Sequence, residues 1–149
     1  MKKLTFIIVT LFIGICNVMS VDMRFADFGS QDAIIEEVNI SPNDDPYLFK
    51  MVRGNTYYIT IKFRPTQYIY GINGYTQLII KEIPYAMTPI TDLQSNTNVF
   101  IPGYDYTIYL TIDAKKIYPP IHGILKIVIN DAFTNRSVIS FGVTAKISD

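Results

Sequence analysis

Apolar and polar residues alternate one by one along much of this chain. In residues 56–64, Tyr57, Ile59, Ile61 and Phe63 fall on one face, and Thr56, Tyr58, Thr60, Lys62 and Arg64 on the other. A period of two predicts a half-buried β-strand. Residues 104–113 repeat it, with Tyr106, Ile108, Leu110 and Ile112 together, and so do Ile139, Phe141, Val143, Ala145 and Ile147. Residues 121–130 and 75–83 are β-branched and apolar enough to be inner strands. Residues 33–41 form a further strand, its pattern weakened by Glu36 and Glu37. Clusters of Pro, Gly, Asn and Asp separate these runs, and no stretch holds a helical period. The expectation is an all-β domain, a sandwich or a barrel. Residues 84–102 break the rhythm. They are punctuated by proline and mixed in polarity, either a functional loop or a plain connection between sheets.

The start of the chain differs in kind. Lys2 and Lys3 precede an apolar run over residues 4–15, and Val18-Met19-Ser20 suits a signal peptidase. This predicts a secretory signal peptide in residues 1–20 and one domain in residues 21–149. The apolar run is shorter than the ~20 residues of a membrane span, so no stable membrane insertion is expected. The chain has 13 basic and 13 acidic residues. Loss of Lys2 and Lys3 leaves a slightly acidic domain without a basic run, which argues against nucleic acid as a partner. The single cysteine, Cys16, lies in the leader. The domain therefore has no disulfide, no thiol nucleophile and no cysteine-based metal site.

Catalytic patterns are missing. A hydrolase needs a nucleophile beside a base, and the one histidine, His122, opens an apolar strand without an evident partner. Asp44-Asp45 lacks the spaced oxygen ligands of a calcium loop, and Glu36 and Glu37 point to opposite faces of a strand. No enzyme activity, cofactor or metal is expected. Asn39-Ile40-Ser41 and Asn135-Arg136-Ser137 match the glycosylation pattern; Pro42 disfavours the first, and Asn135 sits in a predicted turn. What remains is apolar: 11 Tyr and 9 Phe without Trp. These can fill the ~10 Å between packed sheets, or line a ligand cavity where the sheets splay. Periodicity does not separate the two.

The order of motifs adds to this. Asp27-Phe28-Gly29-Ser30, then a strand, then Ser41-Pro42-Asn43 resembles the opening of the ML (lipid-recognition) domain family, which includes the Niemann-Pick type C soluble cholesterol carrier and the group-two mite allergens. Arg53-Gly54-Asn55 before an alternating strand, Tyr118-Pro119-Pro120-Ile121 before an inner strand, and the turn at residues 134–137 follow in register. The resemblance implies an immunoglobulin-like β-sandwich of two antiparallel sheets with an apolar cavity between them. It implies a secreted protein, extracellular or lysosomal, that carries or presents a sterol, fatty acid or phospholipid, with a membrane lipid transporter or receptor as a partner. By position it assigns Tyr85, Ala114 and Tyr118 to the pocket. The inward residues Ile59, Ile61, Phe63, Ile108, Leu110, Ile127 and Ile129 are further candidates, each also readable as core. The alternative is a secreted recognition module without a lipid pocket.

The departure from the family is its cysteines, all replaced here. By the resemblance, Phe28 and Ser140 stand where one pair would be, Asn43 and Tyr47 where a second would be, and a third would fall within residues 93–99. Phe28 is then expected to pack against the last strand, and residues 93–99 to lack a tether.

Overall fold

The computed structural model describes residues 19–149, so the expected leader, apart from Met19 and Ser20, lies outside the described residues. The strands in chain order are β1 (Val21–Asp22), β2 (Ala26–Asp27), β3 (Ala33–Ser41), β4 (Phe49–Val52), β5 (Thr56–Pro65), β6 (Ile69–Tyr70) and β7 (Ile72–Ile80). They continue as β8 (Ile83–Pro89), β9 (Gln94–Ser95), β10 (Val99–Phe100), β11 (Tyr106–Asp113), β12 (His122–Asp131) and β13 (Ser137–Ser148). One sheet has the order β1-β3-β5-β11-β9 and the other β2-β13-β12-β7-β8, with β4 also paired to β13. Pairing is antiparallel except that β4 runs parallel to β13; β6 and β10 form a small separate ladder. The domain is an all-β, immunoglobulin-like sandwich.

The alternation explains the layers. Tyr57, Ile59, Ile61 and Phe63 on β5 are buried, as are Ile108, Leu110 and Ile112 on β11. Opposite them lie Ile127 and Ile129 of β12 and Ile139, Phe141, Val143, Ala145 and Ile147 of β13. At one end Phe63, Phe100 and Tyr106 pack as an aromatic cluster, with Phe100 edge-on to Tyr106 at 5.0 Å between centroids. Near the other, Phe49 meets Tyr57 edge-on, and the Val52 N–H donates to the Tyr57 hydroxyl at 2.7 Å.

Two expectations need correction. Residues 75–83 are not one inner strand. The chain turns at Lys81 and Glu82, both left-handed with φ of 49° and 66°, and Ile83 returns opposite Ile80. Nor are residues 84–102 a structureless connection. They hold most of β8 as well as β9 and β10, so residues 93–99 are tethered by short ladders to β11 and β6. Proline and polar residues hid these pairings, because each ladder is too short to show a period.

The cysteine-free positions are accounted for locally. Pairing of Asp27 with Phe141 sets Phe28 beside Ser140, and the Phe28 N–H donates to the Ser140 carbonyl at 2.7 Å. The Phe28 ring itself lies over Gly142, next to Ile124, with the Lys126 ammonium 5.7 Å from its centroid. It packs on the last strand as expected, but over Gly142 rather than at residue 140. Asn43 is buried: its amide nitrogen donates to the carbonyls of Asp45 (2.8 Å) and Leu48 (3.2 Å), and its oxygen accepts from Lys50 N–H (3.2 Å). One side chain thus stitches the turn between β3 and β4, while Tyr47 is exposed.

Candidate functional site

The two sheets do not match in width at one edge. The β7–β8 hairpin extends its sheet, whereas the strand facing it beyond β11 is β9, only two residues long. The inner side of β7 is therefore half-covered: none of its residues is fully buried. The uncovered space is an apolar cavity of about 230 Å³ between the sheets. β7 supplies Thr76, Leu78 and Ile80, β12 Leu125, β13 Ile147, β4 Met51, and Ile112 on β11 forms the opposite wall. Tyr85 and Thr88 of β8 and Tyr118, Pro119 and Ile121 of the β11–β12 loop complete the lining.

That loop is held from below. Arg53 donates through Nη1 to the carbonyl of Tyr118 at 3.2 Å and pairs with Asp149. The Ile121 carbonyl accepts from Ile147 N–H at 2.8 Å, and Pro119-Pro120 restricts the backbone between. Tyr85 is half-exposed at the rim and Tyr118 partly buried against the core.

The structure thus brings Tyr85 and Tyr118 to one cavity. Ala114 does not reach it. Ala114 is buried against the turn between β4 and β5, its N–H donating to Asn55 and its carbonyl accepting from Gly54. Ile59, Ile61, Phe63, Ile108, Leu110, Ile127 and Ile129 are core, and none lines this cavity, because the sheets close on each other where these residues meet. Leu78, Ile80, Leu125 and Met51 line it without having been singled out from sequence. Residues 78–80 are apolar in succession, so no alternation marks which of them face inward.

Other candidates lie elsewhere. His122 is exposed at the start of β12, opposite Lys146. Asp44 pairs with Lys50 at 2.8 Å, and Glu36 with Arg64 at 2.9 Å. Among the described residues no cluster of His, Cys, Asp and Glu could hold a metal ion. Asn39 donates its amide to Asp22 at 2.8 Å, whereas Asn135 is exposed in the β12–β13 turn with φ of 58°. In that turn burial pushes the Asp131 carboxyl up, but N–H groups of Thr134 (3.0 Å) and Phe133 (2.8 Å) outweigh it and hold the group below its ordinary value.

With this geometry in hand, the fold can be compared. It superposes on a Niemann-Pick type C2 protein from the Japanese carpenter ant with a TM-score of 0.72, over 85% of this chain and 100% of that one, at 16% identity. The fold is NPC2-like. A family 123 glycoside hydrolase from Clostridium perfringens reaches a TM-score of only 0.42 over 71% of this chain and 23% of its own, at 9% identity, too weak a likeness to build on. No family model and no curated protein sequence matches the chain. At such identity the likeness shows the fold alone.

Proposed function

We propose that this chain is a secreted lipid-binding protein that carries or presents a sterol, fatty acid or phospholipid between its sheets, in the manner of intracellular sterol transport. The apolar cavity behind Tyr85 and Tyr118 is the observation that carries this. Its lining is Leu, Ile, Met, Pro and Tyr with two threonines, and a chain or ring system placed there would lose water contact at ~25 cal/mol per Å² before association costs. No reaction is involved. The NPC2-like fold and the leader pattern support the same reading, with an extracellular or lysosomal setting and a membrane lipid transporter or receptor as recipient.

Native mass spectrometry of the protein purified from medium, with lipid extraction of the same sample, tests it. The expected result is a bound mass that extraction removes and that matches one of these lipids. A bare protein that takes up nothing from mixed sterols, fatty acids and phospholipids would overturn it. That outcome would favour a recognition module, for which the stacked, exposed Tyr68 and Tyr70 near Phe133, on the far end of the sandwich, offer a surface.

A further inference from the structure

The apolar chamber is not closed. Thr76, Thr88, Ile112 and Tyr118 are shared walls with a second cavity of about 310 Å³. Pro89 and Ile90 continue the apolar wall of that annex, while Thr91, Thr111, Asp92, Asp113 and Lys115 add hydroxyls and charges; among the described residues the first cavity has no charged lining residue. The first cavity is thus uncharged and the adjoining one mixed, with apolar residues beside hydroxyls and carboxylates. An amphiphile with its apolar part in the first can place its head in the second, across the shared wall of Thr76, Thr88, Ile112 and Tyr118.

The annex carries a fixed acceptor. The Thr111 N–H donates to Asp92 Oδ2 at 2.9 Å, and the Thr111 hydroxyl donates to the same oxygen. Among the described residues nothing bonds Asp92 Oδ1. Asp113 is engaged differently, accepting from the Thr56 hydroxyl at 2.6 Å. Lys115 is exposed and offsets one carboxylate, which leaves the other in excess. Asp92 and Thr111 also line a second groove, beside Tyr58, Thr60 and Tyr109. In the annex a ligand carboxylate or phosphate would meet like charge, while a hydroxyl head would find carboxylate acceptors and threonine hydroxyls.

We infer that the annex selects the ligand's head group, that Asp92 sets the choice, and that the preferred ligand is a neutral, hydroxyl-bearing amphiphile, such as a glycerol monoester, over the free acid of the same chain. The inference rests on the proposed lipid binding in the apolar chamber.

Dodecanoic acid and its glycerol monoester share one chain and differ only in head. Each is titrated at neutral pH into the mature protein, with displacement of a fluorescent fatty-acyl probe as the readout. The expected result is a monoester affinity at least about 10-fold above that of the acid. Asp92→Asn keeps an oxygen for Thr111 and turns an amide N–H toward the annex, so it should tighten the acid and shrink the ratio to about 2-fold. Lys115→Glu, at an exposed position that folding does not depend on, should widen it. Equal or tighter binding of the acid by the unaltered protein overturns the inference, and so does a ratio that neither substitution moves. Uptake of neither ligand overturns the inference alone; the lipid-binding proposal falls only when the protein is also bare in native mass spectrometry after exposure to mixed sterols, fatty acids and phospholipids.

Discussion

Removal of the Phe28 ring tests how the domain closes its first segment onto β13 without a covalent bond. Phe28 is 42% exposed, so somewhat over half of its surface is covered. Full burial of a phenylalanine is worth ~1.5–3 kcal/mol, and an exposed cation–π contact of the kind made by Lys126 adds ~0.5–1. Phe28→Ala should therefore cost about 1.5–2.5 kcal/mol, lowering the melting temperature by about 5–12 °C for a domain of this size. The ring lies on Gly142, where an added Cβ would come within 2.4 Å of Phe28 Cε2 and 2.7 Å of Ile124 Cγ2. Gly142→Ala should then cost about 1–3 kcal/mol by displacing the ring. With the ring already gone, the closer clash disappears. The double variant should be more stable than the sum of the two changes predicts, by about 1 kcal/mol. Urea and thermal unfolding of all four proteins completes the cycle. An unchanged melting temperature for Phe28→Ala, or strict additivity, would refute this account of the contact.

Three further outcomes follow from side chains that hold the loops. Asp32 is buried and accepts from Arg136 at 2.8 and 3.1 Å; Arg136→Ala should cost about 1–3 kcal/mol, and Arg136→Lys should restore only part, since an ammonium lacks the planar two-nitrogen fork that meets both carboxylate oxygens in line. Denaturant titration checks both. Asp131 sits below its ordinary value of 3.8 in the folded state, so its contribution is present above that pH and is lost as pH falls through the lower, folded value; Asp131→Asn should flatten the stability profile across that acid window, read by urea midpoints from neutral pH downward. Asn43→Ala leaves the carbonyls of Asp45 and Leu48 and the Lys50 N–H without their partner, at a cost of about 2–4 kcal/mol measured in the same way; no shift in midpoint would show that water replaces the amide freely.

The strands that face the closed core were legible because one face is buried and the other wet. Residues 33–41 match β3 end to end, and β5, β11, β12 and β13 differ from expectation only at their tips. The β7–β8 hairpin was not legible. A two-residue turn with positive φ at both positions usually announces itself with Asn or Gly, and here it is Lys81-Glu82. The flanking Leu78-Ile79-Ile80 is apolar in succession and none of it is fully buried, so no alternation marks its inner face. The cavity itself was hidden for a related reason. An inward Leu or Ile has the same pattern whether it touches the facing sheet or open space, so Ile59 and Leu78 cannot be told apart from spacing. Tyr85 and Tyr118 were named only through the resemblance, and Ala114, named on the same ground, serves the turn at Gly54 instead.

The position of the cavity follows from sheet width rather than from any lining residue. Where β5 and β11 face β12 and β13, both sheets have partners on each side and their side chains interdigitate until no space is left. Beyond β11, β9 reaches only opposite Ile108 and Tyr109; past that point no strand among the described residues lies along that edge of β11, and the Asp92 carboxylate takes the Thr111 N–H instead. The facing hairpin continues past that point with Thr76, Leu78, Ile80 and Tyr85 directed at nothing of equal width. Enlarging one of those residues would fill the gap without forcing two packed surfaces apart. Leu78→Trp should therefore leave the folded protein intact while excluding an apolar ligand, whereas the same enlargement at Ile127, in the closed part of the sandwich, should cost about 1–3 kcal/mol through overpacking. Melting curves for the two variants, with bound lipid scored by native mass spectrometry, separate the cases. Equal destabilisation at both positions would mean that the gap behind Tyr85 is closed in solution.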